Sequence, residues 1–441
     1  STQMACKPWS EMSALAMAFR SIFKIEDTYM PITESLSETV SLIEPVSLVP
    51  PAYDYQLEVA GKIKLFLKSN RSAALMQLPT GAGKTRVTIQ AIVETLWDRD
   101  TCKDSFVWLA HTQELCAQAH DTFRRLWIAN GNAAIKTYCL WGSRKAKINA
   151  TQPSAIFATF GTFASLYDRD ELDDLAPKLH CVVVDEAHRA SSRIFGRVLR
   201  RLKEQVKILG LTATPGRHAE SHSANIELKD LFDSELISSS QLGEDPIAEL
   251  QRRGILAVPK IQFIEGSDVE LFAKASGEVG SETLQVLSYD EGRNQIIIDK
   301  IAGLAAGGHK VLIFSCSVEH SKILVAGLAG LDVIANYVDS NMSSGRRMSV
   351  IDSFSRGEST VLLNYGILST GFDVPDISAV VITRPTSSIV LYSQMLGRGM
   401  RGPKAGGSED FIGLDIRDNT DSFGGVNEVY NYFEGLWDSN L

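Results

Sequence analysis

"AALMQLPTGAGKTRVTIQAIVETLW", residues 73–97, holds the key to the fold. Its first six residues are an apolar run of the length of a buried strand, a glycine-containing loop follows, and the remainder reads as helix. A strand that turns through glycines into the start of a helix aims backbone N–H groups and the helix N-terminus at a phosphate chain. Gly81 and Gly83 permit close approach, Lys84 can reach the outer phosphates, and the Thr85 hydroxyl can ligate Mg²⁺. The general pattern G-x-x-x-x-G-K-[ST] is departed from at its first position, where Leu78 stands in place of glycine. What remains is the compact form from Pro79 through Thr80 to Thr85, which implies a nucleoside triphosphate with Mg²⁺.

The same grammar extends outward from this stretch. Apolar runs at 105–110 (SFVWLA), 155–159 (AIFAT), 181–185 (CVVVD) and 207–212 (KILGLT) alternate with polar or helix-period sequence. Alternating strands and helices imply a parallel sheet covered on both faces. After a stretch of mixed character, 243–295, the grammar restarts with 310–315 (KVLIFS), 331–337, 359–365, 379–384 and 410–415, and this half carries no second phosphate loop. The reading is two tandem α/β domains, the second completing a site begun by the first. The boundaries are an N-terminal extension at 1–45, a first domain at 46–258, a connecting segment at 259–295, a second domain at 296–420 and a tail at 421–441. In the extension Met12, Leu15, Phe19, Ile22 and Phe23 fall at helical spacing, which suits packing on the body of the protein, and the tail is aromatic and acidic.

Composition narrows the class. With 441 residues, 44% of them hydrophobic, the chain can bury two or three cores. A net charge of −9 argues against a protein that coats nucleic acid over its whole surface, while 44 Lys and Arg leave room for a local basic groove, for example around Arg144, Lys145 and Lys147. The six cysteines are scattered, with no C-x-x-C pair, and no run approaches the length of a membrane span, so a cytoplasmic, reducing setting is expected.

The second half of the phosphate site is "VVVDEAHR", 182–189. A hydrophobic strand ending in Asp185 presents a carboxylate for Mg²⁺, and Glu186 can orient and deprotonate a water that attacks the γ-phosphate. Asp-Glu-Ala-His resembles the DEAH box of superfamily 2 helicases, and further stretches resemble that superfamily's motifs in order: YDYQ (53–56), AHTQEL (110–115), ATFGTF (158–163), LTATP (211–215), VLIFSCSVEHS (311–321), STGFDVP (369–375) and QMLGRGMR (394–401). Within that superfamily, RRGILAVP (252–259), DEGRNQIIIDKI (290–301) and the run through 384–419 resemble the type I and III restriction motors and the Rad25-type repair helicases.

The resemblance implies two RecA-like domains and an ATP-dependent motor, helicase or translocase, with DNA favoured over RNA. An ATP-clamped, non-unwinding subunit of a restriction, phage-defence or repair complex is the alternative, with protein partners. It implies roles residue by residue. Gln56 with Thr80, Gly81, Gly83, Lys84, Thr85, Gly371 and Asp373 would bind nucleotide. Arg398 and Arg401, three apart and so on one face of a helix, would cross the cleft to the γ-phosphate, with Gln394 one turn before. His188, Thr212 and Thr214 would couple nucleotide state to the domain interface. His111, Thr112, Thr162, Ser315 and Thr370 would contact the nucleic-acid backbone. Two departures stand out: Gln113 occupies a place where many relatives have arginine, and no arginine precedes the Tyr55-Gln56 pair.

Overall fold

The computed structural model describes residues 40–43 and 51–417, apart from 97–104, 132, 143–145, 147, 149–151, 168–174, 190–192, 214–221, 267–278, 369–373, 375 and 387. The helix-period stripe at 12–23, the basic cluster at 144–147 except Ala146, and the C-terminal tail lie outside these residues.

Chain order in the first unit runs β1 (Val40–Ile43), α1 (Asp54–Lys68), β2 (Ala73–Gln77), α2 (Lys84–Leu96), β3 (Ser105–Ala110), α3 (Gln113–Asn130), β4 (Ile135–Leu140), β5 (Ser154–Thr159), α4 (Phe160–Tyr167), β6 (Leu179–Val184), α5 (Arg193–Lys203), β7 (Lys207–Thr212), α6 (His222–Leu231), β8 (Leu236–Ile237) and α7 (Pro246–Arg252). The second unit runs β9 (Val258–Glu265), α8 (Ser281–Tyr289), α9 (Glu291–Ala306), β10 (Val311–Phe314), α10 (Val318–Ala329), β11 (Ala335–Val338), α11 (Ser344–Ser355), β12 (Val361–Asn364), β13 (Ala379–Ile382), α12 (Ile389–Leu396) and β14 (Asp410–Arg417).

Two sheets result. The first has the order β1-β4-β5-β3-β6-β7-β2-β8, seven parallel strands with β1 antiparallel on the edge; the second has the order β11-β12-β10-β13-β14-β9, all parallel. Helix-covered parallel strands are buried on both faces, which is why β2, β3 and β6 are apolar runs without alternation and are buried at every position.

The sheet order positions the chemistry. Strands β6, β7 and β2 are neighbours, so the segments leaving their carboxyl ends, 185–188, 212–213 and 78–85, emerge side by side. Clefts at the carboxyl ends of parallel strands are where α/β sheets bind ligands.

Three features differ from expectation. The segment 259–295 is not merely a connection, because β9 pairs with β14 over eight residues as an edge strand of the second sheet. Val40–Ile43, within the N-terminal extension, adds β1 to the first sheet. Strand β4, IKTYCL, also belongs to that sheet; its apolar run is short and is broken by Lys136. Between the sheets, Ile255, Leu256 and Ala257 share one apolar core with Leu78 and Ala82 of the first unit and Met400 and Phe411 of the second. Among the described residues no helix is long and apolar enough to cross a membrane, and Cys116, Cys139, Cys181 and Cys316 are buried free thiols.

Candidate nucleotide site between the two sheets

The glycine loop is shaped by both conformation and space. Gly81 and Gly83 adopt φ +82° and +90°, the left-handed region that side chains avoid. A Cβ at Gly81 would lie 2.9 Å from Leu256 Cδ2, and one at Gly83 would lie 2.6 Å from Gln56 Nε2. The loop closes through Ala82 N–H donating to Pro79 O (3.1 Å), and α2 opens with Val87 N–H donating to Gly83 O (3.0 Å).

Beside it, β6 ends at Asp185, whose N–H donates to Leu109 O (2.8 Å) of the neighbouring strand. Glu186 then takes φ +52°, and its N–H donates to Asp185 Oδ1 at 3.0 Å. A non-glycine residue held in this region marks a turn that its surroundings over-determine. Burial, and then the Glu186 charge, push Asp185 up to about 7, with Lys84 pulling the other way. Lys84 is itself held below the usual ammonium range by burial, against the pull of both carboxylates. Its ammonium also donates to Leu78 O at 3.4 Å.

Asp185 and Glu186 thus set two adjacent carboxylates beside Lys84 at the end of β6. No group of three or more His, Cys, Asp or Glu side chains able to cage a metal occurs among the described residues. A carboxylate, Asp185, and a hydroxyl, Thr85, line the same cleft, and this sparse oxygen set suits Mg²⁺, which takes its other ligands from phosphates and water.

His188 joins these segments. Its Nδ1 lies 3.3 Å from Glu186 Oε2 and 3.2 Å from Thr212 Oγ1 at the end of β7. That nitrogen has a single hydrogen-bonding position, which the Thr212 hydroxyl takes, so the ring lies beside the acid while bonded to the neighbouring strand, with His188 at 4% and Thr212 at 0% exposure.

The second unit closes the cleft. Helix α12 ends at Leu396, so Arg398 and Arg401 are not on one helical face as the spacing predicts. Gly397 caps the helix, Arg398 sits in the following turn with its Nε donating to Gln394 O (3.3 Å), and Arg401 forms a β-bridge with Leu256. Both side chains nevertheless line the cleft. Gln394 is buried, at 5% exposure, and is not in the cleft lining. The loop that carries the arginines is fastened to the connection between the sheets: Ala257 N–H donates to Met400 O (3.0 Å), Gly402 N–H to Ile255 O (2.9 Å) and Lys404 N–H to Gly254 O (3.0 Å). Gly397 packs against the phosphate loop so closely that a Cβ there would lie 2.7 Å from Thr80 Cγ2.

The resulting cleft, of about 410 Å³, is lined from the first unit by Gln56, Thr80, Gly81, Gly83, Lys84, Thr85, Asp185 and Glu186, and from the second by Arg398 and Arg401. Tyr53, Arg86, Gln118, Arg125 and Lys404 line it too, none of them assigned individually to the nucleotide on sequence grounds. Lys404 could have been found as a cation three residues beyond Arg401, whereas Gln118 and Arg125 face the cleft only because α3 packs beside α2. Gln56 is mostly engaged by the protein. Its Oε1 accepts from Tyr53 N–H (3.1 Å) as part of a helix capping box, and its Nε2 donates to Ala82 O (3.1 Å) and Tyr55 OH (3.2 Å), bracing the phosphate loop.

The nucleic-acid candidates have other neighbours. His111 packs against Phe160 and Phe195, with centroid separations of 4.8 and 5.7 Å, and the two phenylalanine rings themselves lie 4.5 Å apart. Thr112 is the N-cap of α3, its hydroxyl accepting from Leu115 N–H at 3.3 Å. Thr162 pairs with Thr159 (3.0 Å). Ser315 directly follows β10, is buried at 0% exposure, and its N–H donates to Asn364 O (2.8 Å). His111, Thr112 and Thr162 do follow the carboxyl ends of the paired strands β3 and β5, the same rim as the phosphate loop. Thr214, Thr370, Gly371 and Asp373 lie outside the described residues.

Comparison with known proteins follows the same division. The family described as type III restriction enzyme, res subunit, matches residues 50–217, and the helicase conserved C-terminal domain matches residues 292–402. A putative ATP-dependent helicase IRC3 of Saccharomyces cerevisiae is 21% identical over 82% of this chain and 51% of its own length. The chain thus spans about half the length of that curated relative. Among solved structures, the type ISP restriction-modification enzyme LlaBIII bound to DNA is similar with a TM-score of 0.59 at 16% identity, covering 89% of this chain and 29% of that one. S. cerevisiae Dbp5 bound to RNA and ADP BeF3 is similar with a TM-score of 0.58 at 17% identity, covering 87% of this chain and 92% of that one.

Proposed function

Because this chain belongs to the superfamily 2 helicases and resembles their restriction-motor branch, we propose that it is an ATP-hydrolysing nucleic-acid motor that acts on DNA. The observation that carries the reading is the meeting of Lys84 and Glu186 from one sheet with Arg398 and Arg401 from the other around a single cleft. A hydrolytic site divided between two units ties the chemistry to their relative position, which is what a motor requires.

In this reading Lys84 and the N–H groups of the loop hold the outer phosphates. Asp185 and Thr85 would hold Mg²⁺, which neutralises phosphate charge when bound. Glu186 accepts a proton from the attacking water, with His188 beside its carboxylate. Arg398 and Arg401 stabilise charge on the transferring phosphoryl group. Support for DNA comes from the restriction-enzyme family that matches the first unit and from the restriction enzyme bound to DNA among the structural neighbours. A second reading, RNA as the track, is favoured by the RNA-bound Dbp5 neighbour. As in many such motors, most contacts to either track would be to the backbone and carry no sequence information.

Steady-state ATP turnover without nucleic acid, and with single-stranded DNA, double-stranded DNA or RNA, tests the reading. Stimulation by double-stranded DNA is expected, with Glu186→Gln lowering turnover by ~10²-fold or more. Stimulation by RNA alone would move the track to RNA. A flat response to every nucleic acid would overturn the motor and favour an ATP-clamped subunit of a larger complex.

A further inference from the structure

Away from the cleft, an ion pair joins the two units. Arg347 on α11 places its Nε 3.0 Å from Glu114 Oε1 in the first turn of α3, and the two side chains are only 11% and 16% exposed. Pairs elsewhere on the surface, such as Arg356 with Glu358 at 63% and 55%, are open to water. Exposed pairs contribute little, whereas removing one partner of a largely buried pair leaves the other charge buried without its counter-ion.

Its position gives the pair leverage. Helix α3 follows the segment carrying His111 and Thr112, and its next residues, Leu115 and Gln118, line the nucleotide cleft. Arg347 belongs to the same sheet unit as Arg398 and Arg401. Neither Glu114 nor Arg347 lines the cleft. Building on the function proposed above, we propose that Glu114 and Arg347 form an interdomain latch: a pair of positioning residues that holds the second unit against α3 and thereby keeps Arg398 and Arg401 across from Lys84 and Glu186. Charge attraction between largely desolvated partners falls away once water enters between them, so the latch favours the closed arrangement and resists opening.

The test uses the full chain with Glu114→Arg, Arg347→Glu and the double exchange of both. ATP turnover and small-angle X-ray scattering are measured on each. Each single variant is expected to lower kcat by about tenfold or more, with KM little changed, because the arginines are misplaced while the phosphate loop is intact. Each is also expected to raise the radius of gyration, and the double exchange should restore both readings. A single variant that merely fails to fold is recognised by its circular dichroism, and the double exchange then decides. Single variants that behave as the unaltered chain, or a folded double exchange no better than the singles, would overturn the latch. If the unaltered chain turns over no ATP, the motor reading fails, and the scattering comparison alone decides the latch.

Discussion

Glu186 sits at φ +52° with its N–H on the carboxylate of Asp185 and its own carboxylate against His188. That conformation keeps two acids side by side at a strand end where they would otherwise splay apart. Sequence made these residues legible because each follows an uninterrupted apolar run, so the strand end, and hence the direction of the acids, can be read without coordinates. Thr112 was legible only as a residue type. A threonine before a helix suits a backbone-phosphate contact or an N-cap equally well, and only the structure assigns its hydroxyl to Leu115 N–H. Thr112→Ala should therefore lower unfolding stability by ~1 kcal/mol, measured by urea denaturation, with nucleic-acid affinity unchanged. An affinity loss without a stability loss would return Thr112 to the nucleic-acid surface. Ser315 illustrates the same limit: its place after a strand resembles a contact motif, and only the structure shows that it is buried.

At the scale of elements, the arginine loop departs most from a reading by periodicity. Arg398 and Arg401 are three apart, which suggests one helical face, yet Gly397 ends α12 and the arginines reach the cleft from a turn and a bridge anchored on residues 254–257. Glycines at 397, 399 and 402 were visible in the sequence; what was not visible is that the connection between the sheets grips the loop. Gly397 itself has helical backbone geometry, so alanine there is opposed by contact rather than by φ. Gly397→Ala should slow ATP turnover by about tenfold or more, and Thr80→Ser, which removes the methyl that the new Cβ would meet, should recover part of the loss. No recovery would show that the close approach to Thr80 is not what constrains Gly397.

A second element-scale device lies in the second unit. His320 on α10 accepts Cys316 N–H at Nδ1 (3.2 Å) and bonds Asn294 Oδ1 of α9 through Nε2 (2.8 Å). Burial, helped by Arg293, lowers His320 to about 3. The folded state therefore excludes a proton that the unfolded chain accepts below about 6.5. The stability this group contributes is present above that pH and is lost as pH falls toward 3, at up to ~1.4 kcal/mol per unit. The difference in stability between the unaltered chain and His320→Gln should accordingly shrink on acidification through this window, and a difference independent of pH would contradict it.

For the whole molecule, the order of strands explains why distant stretches of sequence serve one cleft: β2, β6 and β7 are neighbours although some hundred residues separate the first from the second. The two-sheet plan was legible because the strand–helix grammar stops and restarts. The placement of β9 was not, since an edge strand half open to water carries no continuous apolar run. What unites the parts is the sharing of one hydrolytic site between two sheets. Single-turnover ATP hydrolysis by Arg398→Ala and Arg401→Ala, with nucleotide affinity measured alongside, tests that sharing most directly. Hydrolysis should fall by ~10²-fold or more in each, while affinity changes far less, because the phosphate loop belongs to the other sheet. Hydrolysis at the unaltered rate in both variants would mean that the first unit works alone and that the cleft between the sheets is not the site of the chemistry.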